Sequence, residues 1–389
     1  MALLRLGIIG LGMFGGKIAK LGAEIDAPGI IINASKKDIE KLGDLNGVTS
    51  FVVGDGKGTG KSRDTSKQFL IDHIGVVQEQ ALIDLCSTCD VIIIAGSAGG
   101  GFGSGSMPAL TNVLMEMYPE KLFIPLTTMP DDDETYTAQK HTEDTMHEIK
   151  RLEVPYLVFD NNKYKKLSSV DCLKKVNDDI KTSLQILRGD FVVDSIDADD
   201  TASDMDERDL LTTISTPGRI VCGMLNPLKV SDVEGCGIVA ALKKAIDESS
   251  QADLTLDKEI KASATMYALS GELMEKYSSS IKSDLQDTYG YHVTDYRNEA
   301  VNDETGNDFI AVILSGLTDP VERLDKIIAK RKKQEKEIVT RKASVSKFAS
   351  DEESSSGLKL GVKSFGSDSA QKTEIPDVSN ILKNLKINQ

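Results

Sequence analysis

Val91-Ile92-Ile93-Ile94-Ala95-Gly96-Ser97-Ala98-Gly99-Gly100-Gly101-Phe102-Gly103-Ser104-Gly105-Ser106 is the stretch whose reading settles the fold. It opens as an unbroken apolar run, the pattern of a strand buried on both faces. It ends ahead of an amphipathic run, Pro108 to Met117, which reads as a helix. Five glycines fall within the seven residues Gly99–Gly105. They remove side chains where a backbone bends sharply and approaches another molecule closely. Successive N–H groups at a helix start form a concave donor surface, and the helix dipole adds partial positive charge. A phosphate chain is the guest for such a surface. A glycine-rich linker is the plainer reading, but linkers are rarely clamped between an apolar strand and a helix start.

A second loop of the same kind lies upstream. Leu6-Gly7-Ile8-Ile9 reads as a first strand, followed by Gly10-Leu11-Gly12-Met13-Phe14-Gly15-Gly16 and a helical segment, Lys17 to Leu21. This matches the G-x-G-x-x-G pattern of dinucleotide-binding folds. The second strand, Gly29 to Asn33, ends in Asn33 rather than the acidic residue that grips an NAD ribose. Two phosphate loops at successive strand ends suit one nucleotide held from two sides. Gly54-Asp55-Gly56-Lys57-Gly58-Thr59-Gly60-Lys61-Ser62 looks like a P-loop, yet that spacing requires glycine where Asp55 stands. The strand before it is short and the residues after it are polar. It reads as a mobile surface loop near the terminal phosphate.

The chain has 389 residues, 40% hydrophobic and 28% charged, which suits a globular protein of two domains plus extras. No apolar run approaches the ~20 residues of a membrane helix. The N-terminus leads directly into a strand, so no signal peptide is expected. A net charge of −15 argues against direct DNA binding. The cysteines Cys86, Cys89, Cys172, Cys222 and Cys236 are scattered, as in a reducing cytoplasm. Cys86 and Cys89 have redox-motif spacing but precede a strand instead of opening a helix, so they read as packing residues. The four histidines do not cluster with cysteines, and no zinc site is apparent.

Further strands are expected at Leu122–Leu126 and Tyr156–Phe159. Between them, Met129-Pro130-Asp131-Asp132-Asp133-Glu134 is expected to open a helix, with proline and acids at its start. After Asp160-Asn161-Asn162, the residues Leu173, Val176, Ile180, Leu184 and Leu187 are spaced 3, 4, 4 and 3 on one helical face, with Asn177 beside it. Residues 190–209 are densely acidic: Asp190, Asp194, Asp197, Asp199, Asp200, Asp204, Asp206, Glu207 and Asp209. A solvated loop is the simplest reading. A second domain then begins, with strands at Arg219–Cys222 and Phe309–Leu314 and a helix at Gly237–Ala245. Thr318-Asp319-Pro320 caps a long helix through about Lys342, apolar only in its first turns, whose second half protrudes or docks on a partner. Residues 343–389 read as mostly disordered, with Ile381–Ile387 a sticky short element.

These residues resemble the tubulin/FtsZ family of self-assembling GTPases. Gly99–Gly105 looks like the family's GGGTGTG or GGGTGSG signature, with Phe102 in place of its threonine. Gly10–Lys17 is similar to its first nucleotide loop. Pro130-x-x-x-Glu134 resembles its ribose loop, with Ala138 where the family has arginine. Asp160–Lys163 resembles the base-reading loop and nominates Asn161. The helix bearing Asn177 looks like the family's central helix, and Asp204–Leu210 like its catalytic synergy loop, with Asp204 for the usual asparagine. Ser315–Leu317 and the charged helix look most like the TubZ branch of plasmids and phages.

The resemblance implies an α/β fold: a Rossmann-like GTPase domain (1–167), a central helix (168–189), a smaller α/β activation domain (190–317), a protruding C-terminal helix (318–342) and a tail (343–389). It implies GTP/GDP with Mg²⁺, bound by Gly12, Met13, Phe14, Gly15, Lys17, Asn33, Ser97, Gly99, Gly100, Gly101, Phe102, Gly103, Ser104, Gly105, Glu134, Asn161 and Asn177. It implies Asp206 and Asp209 as catalytic carboxylates delivered by the next subunit of a head-to-tail filament, so that polymerisation activates hydrolysis. The partners expected are the chain itself and a DNA-binding adaptor on the C-terminal helix or tail, in the bacterial cytoplasm, for plasmid or phage DNA segregation. An NAD(P)-dependent oxidoreductase is the rival from another class, and a filament that uses nucleotide only to fold is the third reading.

Overall fold

The structure is a computed structural model, and it describes residues 3–193, 205–252, 260–289, 294–302 and 307–352. Its first half alternates strand and helix: β1 (Leu6–Leu11), α1 (Gly12–Ala23), β2 (Gly29–Asn33), α2 (Lys36–Lys41), β3 (Thr49–Val52), α3 (Arg63–Asp72), α4 (Gln80–Thr88) and β4 (Val91–Gly96). There follow α5 (Phe102–Met117), β5 (Leu122–Met129), α6 (Tyr136–Arg151), β6 (Pro155–Asp160) and the long α7 (Ser169–Arg188). The second half comprises α8 (Glu207–Ile214), β7 (Gly218–Leu225), α9 (Val230–Val233), α10 (Ile238–Glu248), β8 (Ala262–Ser270), α11 (Gly271–Tyr289), β9 (Thr294–Asn302), β10 (Phe309–Leu317) and α12 (Val321–Glu352).

Among the described residues the strands form one ten-stranded sheet in the order β3-β2-β1-β4-β5-β6-β7-β10-β8-β9. β1 to β6 are parallel, and β7 joins them in parallel through Pro155–Leu157 against Gly218–Ile220. The expected second α/β unit is therefore present, but its sheet continues the first. β10 runs antiparallel to both β7 and β8. Alternation along each buried strand explains the layers. Ile8 and Ile93 face one core with α1 and α7, while Ile9, Ile92 and Ile94 face another with α5 and α6. A third core lies between β7–β10 and helices α10 and α11.

Ser168 caps α7 through the Asp171 N–H, and Gly189, at φ +78°, ends it. Val176, Ile180, Leu184 and Leu187 are buried, but Leu173 is exposed and turned toward the site described below. α5 begins at Phe102, six residues ahead of the expected Pro108, because the glycine loop closes directly into the first turn. α6 begins only at Tyr136, capped by Thr135; the acids expected to open it occupy a preceding turn, where Asp132 is drawn into an ion pair with Arg323. The polar residues after Ser62 form α3 rather than continuing a surface loop, with the Ser62 hydroxyl accepting from the Thr65 N–H. α12 continues to Glu352, so residues 343–352, expected in the tail, are helical. Asp194, Asp197, Asp199, Asp200, Asp204 and Ile381–Ile387 lie outside the described residues.

Candidate nucleotide site and a remote pair of carboxylates

A cavity of about 460 Å³ opens at the C-terminal ends of β1 and β4, a volume within the range of small-molecule sites. This is where the strand order reverses direction about β1, the position at which open α/β sheets bind ligands. Its lining includes Gly12, Met13, Phe14, Lys17, Asn33, Ser97, Gly100, Gly101, Phe102, Gly103 and Asn177, all named from sequence. Gly12 sits at φ +72°, the left-handed region that favours glycine, and turns β1 directly into α1.

Two helices, α1 and α5, present their N-termini to the cavity, and neither has a side-chain cap. α2, α3, α6, α7 and α8 are each capped by a serine, threonine or aspartate side chain. Uncapped first-turn N–H groups are donors available to an anion, reinforced by two helix dipoles. Asn33 adds a further donor group: it is 2% exposed, its Oδ1 accepts from the Ser35 N–H, and its Nδ2 has no protein partner. A buried unpaired amide costs about 1–3 kcal/mol, which a bound ligand would relieve.

Sequence reading put one wall of the site near the terminal phosphate but named none of its residues as contacts. The β3–α3 loop, taken for a surface loop, brings Lys57, Gly58, Thr59, Gly60 and Lys61 into the lining. It is held there by the Gly58 N–H to Ala34 O at 2.7 Å and the Lys36 N–H to Gly56 O at 2.9 Å. Lys61 adopts φ +62°, a strained conformation for a lysine, with its backbone against Gly101. The sequence signal was the Ser62 N-cap, which marks a strand–loop–helix unit instead of a free loop. With Lys17, these lysines give the lining three ammonium groups against one carboxylate, Asp38, in a chain of net charge −15.

That donor set does not form a cation cage. Among the described residues no cluster of three or more His, Cys, Asp and Glu side chains is placed to hold a metal. Magnesium at this site would be carried on phosphate oxygens rather than by protein carboxylates.

The remaining predicted contacts do not line the cavity. Gly15 and Gly105 are close-packing points, where an added Cβ would meet Ala95 O at 2.2 Å and Arg63 O at 2.5 Å. Gly99 packs on Ala138, and the Ser104 hydroxyl turns back to Gly100 O at 2.6 Å. Glu134 is exposed in the turn before α6, and Asn161 is half-buried just after β6, its Oδ1 buried and unpaired.

Behind the glycine loop lies a buried network. Pro108, inside α5, has no N–H to give Ser104 O, and that carbonyl instead accepts from Arg63 Nη2 at 3.0 Å. Arg63 and Lys67 share Glu148 at 2.6 and 2.7 Å. The His141 Nδ1–H donates to Gly100 O at 2.8 Å. Burial lowers the His141 pKa, Arg63 lowers it further, and the bond to Gly100 only partly offsets them. Cys86 and Cys89, at the end of α4, are buried, and burial pushes the Cys86 thiol up to about 12, which leaves it inert.

Asp206 and Asp209 stand at the other end of the molecule. Asp206 Oδ1 accepts from the N–H groups of Arg208 and Asp209 at 2.8 and 2.9 Å, and Asp209 Oδ2 accepts from the Asp206 N–H at 3.1 Å. They form the capping box of α8, with Asp206 exposed and Asp209 half-buried. α7 is the ruler between the two places. Its Leu173 and Asn177 line the cavity, while Arg188 O accepts from the Leu4 N–H ahead of β1, and Gly189 packs on Leu210 of α8. From Asn177 to Gly189 the helix spans roughly 18 Å, beyond the reach of any aspartate side chain.

Residues 25–169 match the model of the Tubulin/FtsZ family, GTPase domain. The match is thus to a GTPase domain, over residues 25–169 of the 389. It is 27% identical over 168 residues to the tubulin-like protein CetZ of Pyrococcus horikoshii, covering 42% of this chain and 46% of that protein. It is 28% identical over 252 residues to the tubulin-like protein TubZ of Clostridium botulinum C phage, covering 63% and 64%. The matched stretches therefore span about half to two thirds of these relatives. A GTPγS-form protofilament of TubZ from Bacillus thuringiensis serovar israelensis shares the fold, with TM-score 0.68 at 17% identity, covering 88% of this chain and 95% of that one.

Proposed function

We propose that this protein binds and hydrolyses GTP as the subunit of a head-to-tail filament, with each active site completed by the next subunit. One observation carries the reading: a cavity lined by two uncapped helix N-termini and three lysines, and the Asp206–Asp209 carboxylate pair, stand at opposite ends of a single helix, α7. The lining holds one carboxylate, Asp38, which sits in the first turn of α2 with Lys41 at 3.8 Å. Stacking subunits end to end would bring Asp206 and Asp209 over the neighbour's cavity. A contact of that heterologous kind does not close on itself and so extends into a filament. The protofilament arrangement of the Bacillus thuringiensis protein supports it.

The chain's own parts divide the work. N–H groups at the starts of α1 and α5, with Lys17, Lys57 and Lys61, would hold the phosphates and offset charge developing on them. Asn33 and Asn177 would orient the nucleoside through paired amide donors and acceptors. The arriving carboxylates would orient the attacking water and take its proton. The similarity to TubZ supports a role in plasmid or phage DNA segregation. The net charge of −15 suits contact with DNA through a basic adaptor, seated on α12 or the tail.

The test is Asp206→Asn and Asp209→Asn. Asparagine caps a helix as well as aspartate does, so α8 is preserved. GTP affinity and filament formation are expected to hold, while turnover falls by about 100-fold or more, as for loss of a general base. Wild-type turnover by both variants would overturn the shared site.

A further inference from the structure

Arg323, near the start of α12, is a buried charged side chain, only 2% exposed. Its Nη1 donates to Asp132 Oδ1 at 2.7 Å and its Nη2 to Pro130 O at 2.6 Å. Its Nε lies 2.7 Å from Asp160 Oδ2 as an ion pair. The contacts continue without Arg323. Asp160 Oδ1 accepts from the Asn162 N–H at 3.0 Å, and Asn162 Oδ1 accepts from the Asp132 N–H at 3.2 Å. A closed ring results, running Arg323, Asp160, Asn162, Asp132 and back to Arg323.

The ring ties together the loops after β5 and β6, the next two strand ends along the sheet from the cavity. One residue sits inside it. Asn161 is held between Asp160 and Asn162, both fixed by the ring, and its Oδ1 is buried with no partner. Its carbonyl accepts from the thiol of Cys172, one residue before the cavity-lining Leu173. A buried orphan amide on a braced backbone is the arrangement of a group kept for a ligand.

We infer that Arg323 is a positioning residue that braces the β5–α6 and β6–α7 loops so that Asn161 reads the edge of a purine base. Recognition in the N-terminal half of the chain then depends on the seating of the C-terminal helix. This rests on the reading of the cavity as a GTP site. A planar guanidinium is required, because only its fork meets two carboxylates and a carbonyl at once; a lysine keeps the charge and loses the geometry.

The experiment measures equilibrium binding of GTP, ITP (which lacks the 2-amino group) and ATP to the full chain. Wild type, Arg323→Lys, Asp132→Asn and Arg331→Met are compared. Arg331, on the same helix as Arg323, pairs with Glu143 of α6 at 2.7 Å, outside the ring. Arg323→Lys and Asp132→Asn are expected to cut the preference for GTP over ITP by about tenfold, with ITP affinity little changed, and Arg331→Met to preserve it. Asp132 lies on a half-exposed turn, so its variant tests the ring even where Arg323→Lys fails to fold. An unchanged preference in the ring variants, or an equal loss in Arg331→Met, would overturn the inference. Wild type binding GTP no better than ATP would instead overturn the reading of the site.

Discussion

Replacing Gly101 by alanine tests how the cavity is closed. A Cβ there would stand 2.7 Å from both Lys61 Cα and Thr59 Oγ1. One of these is backbone, so the whole β3–α3 loop must retreat by about 0.7 Å or more to restore ordinary contact. Gly101 has φ −90° and ψ −72°, which alanine adopts without strain. The cost is thus one of overpacking, about 1–3 kcal/mol, and it falls on the closed cavity. The free protein relaxes by lifting the loop, so its melting temperature should change little. Affinity for GTP should drop about 5- to 150-fold. Titration with a fluorescent GTP analogue, beside a thermal melt, reads both. Unchanged affinity would mean that Lys57–Lys61 take no part in binding.

Lys61→Gly should move the two properties in opposite directions. It relieves the strain of φ +62° and raises stability by about 0.5–1 kcal/mol, while removal of the ammonium weakens GTP binding. Chemical denaturation and nucleotide titration measure the two effects, and a loss of stability would refute the strain argument. His141 makes stability depend on pH. Its folded pKa lies below the ordinary 6.5, so the unfolded chain binds more protons between the two values. The contribution is complete above about pH 6.5 and is lost as pH falls toward the folded pKa. His141→Gln should flatten the fall in stability between about pH 7 and 5; an unaltered pH profile would refute it.

The parallel strands were legible because each is a run of apolar residues buried on both faces, and β2 ends at Asn33 as read. The buried face of α7 was equally plain, since Val176, Ile180, Leu184 and Leu187 recur at helical spacing. Residues 262–302, containing β8, α11 and β9, gave no assignment. Their apolar residues are diluted by serine, alanine and charge, and burial there comes from β10 inserting between β7 and β8. In the site, glycine loops announced the phosphate cradle, but not which glycines face it. Gly15, Gly99 and Gly105 serve the packing of helices on strands and on one another, a distinction that depends on residues far away in sequence. The lysine wall was placed near the phosphate but its residues went unassigned for a similar reason: Asp55 breaks the P-loop spacing, and only the cap at Ser62 marks that a helix follows. Arg323 had no local signal at all, because its partners lie 163 to 193 residues earlier.

The most direct test of a split active site is GTP hydrolysis per subunit against protein concentration, with light scattering recorded from the same sample. The account predicts that hydrolysis and scattering rise together above one threshold concentration, and that scattering decays as GTP is consumed. Hydrolysis per subunit that is constant at all concentrations, with no scattering, would contradict it and make the cavity a self-contained active site without Asp206 and Asp209.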